Sequence, residues 1–472
     1  MFQMKGCIYQ IYPRSFKDSN GDGVGDLKGI AEKVDYLSNL GVKAVWLSPI
    51  FRSPMVDFGY DISDFRAIEP MFGTMEDFEE LKELFQKNGL KIILDFVPNH
   101  TSDQHDWFIR SVAREDPYTN YYVWVDAKYV NGTRSPPNNW LSDFGGSFHH
   151  KQPDLNYRNP LVVQEMKDVL TYWMDKGVDG FRMDAVMTII EDDQLRDEPP
   201  SNKPDVLPTD VEFLTHIHTR DQPGTYDIIK QFRKLLDDYS AKTGTVKFMA
   251  TEAYSNLTNT MKYYGDKNYP GAHFTFNFGP ITGLTAQSNA KQFKEVIENW
   301  YRALPEGKWS NWVLGNHDQQ RVASRYGIDM LDGLHMLQMC LHGTSTKDPP
   351  ALNVGPERYL RFTRDPARTP SSGLHAPVQV KWLQISRAIK VQIATLRFFR
   401  TKNTNAIKIN TNVGCFVVYP HCTCRKLLIA TTEAKIAIHK VYVEGSILEC
   451  IRKHSFCRKP ILESMNARHL II

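Results

Sequence analysis

The 472-residue sequence lacks several features that would assign it to a particular class of protein. It contains no run of about 18 apolar residues, and we therefore expect no membrane-spanning helix. Its 57 Lys and Arg residues nearly balance 54 Asp and Glu residues. A net charge of +3 gives no field of the kind that a nucleic-acid-binding protein usually presents. We therefore expect a neutral partner and no nucleic acid.

Motifs for common cofactors are also missing. No G-x-G-x-x-G follows a predicted strand, which argues against a dinucleotide site and an organic cofactor. Cysteine is unevenly distributed, with five of the seven residues in the last 58 positions, and the C-x₂-C spacing of zinc sites is absent, so we expect unpaired or locally bridged thiols. The N-terminal MFQMKGCIYQIYP has no apolar stretch of signal-peptide length, which indicates either a cytosolic protein or a missing leader.

One unit recurs along the chain: an amphipathic helix, a glycine, and a short buried run. In residues 26–40 the apolar side chains lie on one helical face, Gly41 ends the helix, and residues 42–49 have the composition of a buried strand. The pattern repeats before DFVPNH (95–100), GFRMDAV (180–186), ATEAY (250–254) and GNHD (315–318). Five such units in one direction predict a parallel sheet covered by helices.

Polar residues at the predicted strand ends distinguish a closed barrel from an open sheet. A (β/α)₈ TIM barrel brings all of its strand ends to one mouth, whereas an open sheet spreads them along an edge. The fold class is therefore predicted to be α/β, a (β/α)₈ barrel. The residues that this prediction gathers at the mouth are Asp95 to His100, Arg182, Asp184, Glu252, His317 and Asp318.

Two segments do not follow the repeat. Residues 101–158 form a long excursion rich in Trp and Tyr, which predicts an inserted lobe after the third strand. From about residue 381 to 472, strand-like pieces such as GCFVVYP and KLLIATT predict a small, atypical C-terminal β domain. The barrel itself is assigned to residues 1–100 and 159–380.

Two carboxyl groups at the predicted mouth suit hydrolysis of a glycosidic bond, which needs one ionised carboxylate and one protonated acid. Arg182 lies two residues before Asp184 on one strand, so both side chains face the same way and the guanidinium favours an ionised Asp184. Glu252 follows an apolar run, and we expect burial to raise its pKa so that it can donate a proton. Asp318 is expected to bind and distort the sugar.

The four motifs, in this order and each at the end of a strand, resemble those of the α-amylase superfamily, glycoside hydrolase family thirteen. Further similarity lies in AVWLSP (44–49), FGYDISDF (58–65) and QPDLN (152–156), the last being similar to the oligo-1,6-glucosidase and α-glucosidase branch. The N-terminal sequence YQIYPRSFKDSNGDGVGDLKGI is similar to that of insect maltases. The resemblance implies a retaining α-glucosidase that removes terminal non-reducing glucose from maltose, sucrose or short maltooligosaccharides through a covalent glucosyl-Asp184 intermediate.

The resemblance also implies roles for individual residues. Asp184 matches the nucleophile, Glu252 the general acid/base and Asp318 the transition-state stabiliser. Either Arg364 or Arg368 in RDPARTP matches an arginine near the same sugar, and Arg368 is chosen here. The residues implied to hold the glucose are Asp57, Tyr60, His100, Arg182 and His317.

A calcium site is expected in the loop after the first strand, where D-x-N-x-D-G-x-x-D places oxygens at alternate positions. In isolation this run indicates a polar Asx turn, but similar relatives bind structural Ca²⁺ with this spacing. The implied ligands are Asp18, Asn20, Asp22, the carbonyl of Val24, and Asp26. The resemblance further implies a secreted or surface-associated protein, which the Asn131 and Asn256 glycosylation sequons suit.

Three departures from the family pattern bear on activity. The lobe is shortened between Gly146 and Gln152, and the segment after RDPARTP differs from the family. After LHGT (341–344) the chain continues as STKDPPALNV, which predicts an eighth strand that is either missing or improvised. The alternative to hydrolysis is therefore an inactive or incomplete homologue that acts as a binding or partner protein.

Overall fold

The computed structural model describes residues 6–142 and 151–347, together with the backbone of four short strands between residues 397 and 431. Eight parallel strands form one sheet that curls into a nearly closed barrel, in the order β6-β5-β4-β3-β2-β1-β8-β7. This confirms the predicted fold class. The strands are β1 (Cys7–Ile11), β2 (Ala44–Leu47), β3 (Lys91–Phe96), β4 (Gly180–Met183), β5 (Phe248–Thr251), β6 (Phe274–Thr275), β7 (Asn311–Val313) and β8 (Thr344–Lys347).

Helices lie between the barrel strands. They are α1 (Pro13–Phe16), α2 (Leu27–Ala31), α3 (Val34–Leu40), α4 (Met75–Lys87), α5 (Asp106–Val112), α6 (Pro160–Asp175), α7 (Pro223–Thr243), α8 (Leu257–Lys262), α9 (Gly279–Thr282), α10 (Ala290–Ala303), α11 (Val322–Tyr326) and α12 (Ile328–Cys340). Among the described helices, none is both long and apolar enough to cross a bilayer.

Start and stop signals in the sequence act at the ends of several helices. Thr74 and Asp77 form a capping box at the start of α4, and Asn159 caps α6 ahead of Pro160. Gly41 ends α3 in the left-handed conformation, with a φ of 79° that a residue with a Cβ rarely adopts. These local signals set where each helix returns the chain to the barrel.

The apolar stripe predicted over residues 26–40 is divided between two helices. The chain leaves the regular pattern after α2, where the N–H of Lys33 donates to the carbonyl of Ile30, only three residues back. The apolar faces of α2 and α3 are nevertheless buried, as expected for helices that cover a sheet.

The eighth strand is present, so of the two alternatives predicted for it, missing or improvised, the first is wrong. Residues 344–347 form β8, which pairs with β1 on one side and with β7 on the other. The strand is polar, and a neighbouring side chain provides hydrogen bonds to its buried polar atoms. The Asn311 amide donates to Thr344 O and to Thr346 Oγ1, at 3.0 and 2.9 Å. A strand held in this way needs no apolar run, and the sequence therefore gave no signal for it.

The sixth strand had no sequence-based assignment. It contains only Phe274 and Thr275, both buried, and it pairs with β5 at one end of the sheet. Two residues are too few to show the alternation or the apolar run by which strands are recognised.

Two excursions rise from the carboxyl ends of the strands. Between β3 and α6 the chain forms α5, a 3₁₀ turn (Tyr118–Asn120) and a hairpin of two strands (Lys128–Val130 and Thr133–Ser135). After β2, strands Phe51–Arg52 and Asp64–Ile68 pair as an antiparallel ribbon. The first excursion falls within residues 101–158, whose assignment to an inserted lobe stays a prediction, and the second, after β2, was not predicted.

The described C-terminal backbone is an antiparallel sheet. Its strands follow one another in chain order: Arg397–Arg400, Ile407–Thr411, Gly414–Val418 and Leu427–Thr431. The assignment of all residues from 381 to 472 to one β domain extends well beyond these strands and stays a prediction.

Candidate active site

Side chains from three strand ends meet around the guanidinium of Arg182. Arg182 lies on β4 and is only 2% exposed. Its Nη1 donates to Asp95 Oδ1 at 2.9 Å and also contacts Asp184 Oδ1, while its Nη2 lies 3.8 Å from Glu252 Oε2. The two predicted catalytic carboxyl groups therefore share one buried cation, as the barrel hypothesis requires.

Asp184 and Glu252 are fixed by their backbones. The N–H of Asp184 donates to Phe96 O at 2.8 Å, which extends the β3–β4 pairing, and the N–H of Glu252 donates to Met183 O at 2.9 Å. Close approach of β4 to β5 depends on Gly180, because a Cβ there would lie 2.5 Å from Phe248 O. This packing sets the distance between the two strands that bear the acids.

The residue after Asp184 turns the chain toward Glu252. Ala185 has a φ of 44°, in the left-handed region that costs a residue with a Cβ roughly 1 kcal/mol or more. In this conformation its N–H donates to Glu252 Oε2 at 2.8 Å. One carboxyl oxygen of Glu252 is thereby oriented by the backbone that follows Asp184.

Burial dominates the titration of Glu252, which is 5% exposed. Desolvation raises its pKa, and although Arg182 opposes this, the nearby charges of Asp184 and Asp318 raise it further, to about 8. This direction favours the protonated form of Glu252 at neutral pH. The expectation from the apolar run that precedes Glu252 agrees with this direction.

Asp95 is a second buried carboxyl group at the centre of the site. Desolvation raises its pKa to about 7, against the opposing effect of Arg182. Its Oδ2 accepts hydrogen bonds from Tyr60 Oη at 3.0 Å and from Trp46 Nε1 at 3.1 Å. The Trp46 ring also packs against the guanidinium, with 4.9 Å between the ring centroid and Arg182 Cζ. Asp95 thus holds Arg182 through Nη1, the same nitrogen that contacts Asp184.

Asp318 and His317 approach the site from the end of β7. His317 Nε2 lies 3.8 Å from Asp318 Oδ2. The N–H of Asp318 donates to Asn316 Oδ1 at 3.1 Å, and the Asn316 amide in turn donates to the Tyr254 hydroxyl. With its side chain 29% exposed, Asp318 is the most open of the three predicted catalytic carboxylates.

The residues predicted to hold glucose are placed around this cluster. The Tyr60 ring stacks on His317, with ring centroids 5.1 Å apart. His100 Nε2 lies 3.2 Å from Tyr60 O, and Asp57 is on the turn whose carbonyl accepts the Tyr60 N–H. The Asp57 carboxylate accepts from Gln152 Nε2 at 3.0 Å. Arg364 and Arg368 lie outside the described residues.

Sequence reasoning placed Asp95 at the mouth without giving it a role, and it did not assign Trp46 to the site. Asp95 opens the DFVPNH motif, and Trp46 lies in AVWLSP, so both stood in segments already singled out. Their role depends on contacts with Arg182 and Tyr60, which are distant in sequence. An acidic residue inside a buried strand was the one available signal, since such a group needs a partner.

The predicted calcium loop is built from Asx turns. Asp18 Oδ1 accepts from Gly21 N at 2.6 Å and Oδ2 from Gly23 N at 2.8 Å, and these bonds lower the pKa of Asp18. The Asp26 carboxylate accepts from Ser19 N–H and from the N–H of Gly29. Within the described ranges, no three His, Cys, Asp or Glu side chains gather as ligands of one metal ion.

Comparison with known proteins places this site in a family. The profile described as "Alpha amylase, catalytic domain" matches residues 10–354. Maltase 1 of Drosophila virilis is 50% identical over 77% of this chain and 63% of its own length. The salivary α-glucosidase of Anopheles gambiae is 46% identical over 79% and 70% of the two chains. The chain thus spans less than two thirds of the Drosophila relative.

The chain is also similar to a protein named as a transporter subunit and to enzymes of known crystal structure. The human amino acid transporter heavy chain SLC3A1 is 45% identical over 72% of this chain and 52% of its own length. The crystal structure of the α-glucosyl transfer enzyme XgtA matches 91% of both chains at 30% identity, with a TM-score of 0.75. The trehalulose synthase MutB of Pseudomonas mesoacidophila gives a TM-score of 0.73 at 25% identity over 91% of both chains. The chain belongs to the α-amylase family.

Proposed function

We propose that this protein is a retaining α-glucosidase that removes terminal non-reducing glucose from maltose, sucrose or short maltooligosaccharides. The observation that carries the proposal is the shared contact of Asp184 and Glu252 with Arg182, at the mouth of the barrel. The names of the insect relatives, maltase and α-glucosidase, support the choice of substrate. Release of nitrophenol from nitrophenyl α-glucoside by the purified chain tests it, and no turnover by a folded sample contradicts it.

The reaction proceeds in two steps. Asp184 attacks the anomeric carbon while the bond to the leaving oxygen breaks, and Glu252 gives its proton to that oxygen. Glu252, now ionised, then takes a proton from water, and the resulting hydroxide displaces Asp184 from the anomeric carbon. Glucose leaves with the α configuration, and both carboxyl groups return to their initial states.

Different charge states are what this reaction requires of the two acids. Arg182 balances the negative charge of Asp184 directly. Glu252 keeps its proton because burial raises its pKa. Asp318 is placed to stabilise positive charge that develops on the sugar ring, while Tyr60, His100, Asp57 and His317 hold the ring through its hydroxyl groups and one face.

A non-catalytic role, as in a partner protein, is less well supported. The similarity to a transporter heavy chain gives this alternative a specific basis. The retained carboxylates argue against it, because a binding role alone does not require a buried acid with a raised pKa next to a second carboxylate.

We also propose that the loop of Asp18, Asn20, Asp22, Val24 and Asp26 binds Ca²⁺ as a structural ion. Oxygen donors at alternate positions support this. The cation would have to draw the carboxylates closer together, because they do not gather around one point by themselves. The ion would stabilise the turn between β1 and α2 and take no part in the chemistry.

Chelation is expected to lower the melting temperature of the wild type by a few degrees, since an ion bound to the folded state alone stabilises it. Added Ca²⁺ should restore the value. Asp22→Ala, which removes an exposed ligand, should have the lower melting temperature from the start and no further response to chelator. An unchanged melting temperature of the wild type refutes the calcium site.

A secreted or surface-associated location is proposed from the salivary relatives, with an N-linked glycan at Asn131. Asn131 lies at the exposed tip of the lobe hairpin, and Thr133 of its sequon is exposed as well. Enzymatic release of N-linked glycans from protein isolated from its natural source should reduce its mass and convert Asn131 to Asp. Unmodified Asn131 in that material contradicts the proposal.

A further inference from the structure

Gln10 is a buried amide that connects three strand ends of the barrel. It lies on β1 and is 2% exposed. Its Nε2 lies 2.8 Å from the hydroxyl oxygen of Ser48, which follows β2, and 3.4 Å from Nδ1 of His317, which follows β7.

In this orientation of the amide, Gln10 Nε2 faces both neighbours, while its Oε1 is buried with no hydrogen-bond partner among the described residues. An amide nitrogen carries two donor hydrogens and no acceptor, so both neighbours must accept. Ser48 accepts through its hydroxyl oxygen, and His317 can accept only through an unprotonated Nδ1. A neutral imidazole with an unprotonated Nδ1 carries its hydrogen on Nε2.

Aromatic rings hold the imidazole in this orientation. The Tyr60 ring stacks on it with an interplanar angle of 9°, and Tyr12 and Trp46 approach with centroids 6.0 and 6.2 Å away. Rotation that exchanged Nδ1 and Nε2 would require these rings to move. Nε2, on the opposite side from Gln10, lies 3.8 Å from Asp318 Oδ2.

We propose that Gln10 is a positioning residue that keeps His317 as the neutral Nε2–H tautomer, so that His317 donates a hydrogen bond to a hydroxyl group of the bound glucose. The second part rests on the proposed glucosidase function, whereas the tautomer does not. Because the hydrogen bond is made to the sugar, loss of Gln10 should weaken binding of glucose more than it slows bond cleavage.

The first experiment measures the tautomer directly. Nitrogen NMR of protein with isotope-labelled histidine, with His317 assigned by its loss in His317→Asn, should show a protonated Nε2 and an unprotonated Nδ1. Gln10→Met has the same length but no donor, and should give a mixture of tautomers. Gln10→Glu offers an acceptor and should place a hydrogen on Nδ1. A protonated Nδ1 in the wild type overturns the proposal, because the Gln10 oxygen would then face His317.

The second experiment measures the consequence. Gln10→Met is expected to raise KM for nitrophenyl α-glucoside and the inhibition constant of glucose by about tenfold, the usual cost of one hydrogen bond at a binding site, with a smaller change in kcat. Gln104→Met, the same change at an exposed position, should alter neither constant. Equal glucose inhibition in wild type and Gln10→Met overturns the proposed contact with the sugar.

The two experiments separate failure of the inference from failure of the proposed function. If the chain does not hydrolyse glucosides, the NMR measurement on the wild type still decides the tautomer. If Gln10→Met does not fold, the wild type and Gln10→Glu decide it.

Discussion

Asp184→Asn is expected to lower kcat/KM for nitrophenyl α-glucoside by at least about 10⁴-fold, of the order that loss of a covalent nucleophile costs. An amide has nearly the shape of the carboxylate but cannot form the ester bond to the anomeric carbon. Arg182 keeps its hydrogen bond to Asp95 in this variant, so the fold should be retained. Initial rates and the melting temperature are measured on the same preparation.

Asp168→Asn is the matched control for this substitution. Asp168 lies on the exposed face of α6, where its carboxylate accepts a hydrogen bond from Gln164. Its replacement should leave kcat/KM within about twofold of the wild type, since surface changes away from a site usually have small effects. A folded Asp184→Asn protein with substantial activity would assign the nucleophile to another residue.

Glu252→Gln is expected to reduce kcat for maltose by roughly 10²- to 10⁴-fold, the usual contribution of a general acid. The loss should be smaller in the first step with nitrophenyl α-glucoside, because nitrophenolate leaves without a proton. Azide should then restore turnover of that substrate, since it attacks the glucosyl-enzyme without needing a base. Glu83→Gln, an exposed change on α4, is the control and should behave as the wild type.

The pH profile adds an independent test of Glu252. The folded protein has a raised pKa of about 8 at Glu252, so the protonated acid is present below that pH and is lost as the pH rises through it. Wild-type kcat/KM should therefore fall on the alkaline side, and Glu252→Gln should lack this decline. An unchanged alkaline limb in the variant would mean that another group titrates there.

Much of the fold was accessible from the sequence because its signals are local. The stripes of α4, α6, α7 and α10, and the glycines after several helices, each act within a few residues. The alternation of helix and strand then restricts the topology to parallel arrangements. The polar strand ends selected the barrel, because each carries side chains that are costly to bury unless they meet partners.

The parts that were missed depend on contacts between distant residues. β8 is polar and short, and its place is set by pairing with β1 and β7 and by the side chain of Asn311. Similarly, the role of Gln10 follows only from its contact with His317, and that of Asp95 from its contact with Arg182. Periodicity in the sequence does not show which distant residues will be in contact.

The candidate site shows the same division. Asp184, Glu252 and Arg182 were predicted together from the need for two carboxyl groups in different charge states, and the structure brings all three into contact. Their catalytic roles stay a prediction. The orientation of Glu252 by the Ala185 N–H could not be anticipated, because it depends on a left-handed backbone at a residue that seldom adopts one.

Trapping of the glucosyl-enzyme tests the central claim most directly. A fluorinated α-glucosyl fluoride, whose ester to the enzyme forms faster than it hydrolyses, is incubated with the wild type, and the peptides are analysed by mass spectrometry. We predict one added fluoroglucosyl group, located on the peptide that contains GFRMDAV and attached to Asp184. Attachment to any other carboxylate, or inactivation that leaves Asp184 unmodified, would contradict the account.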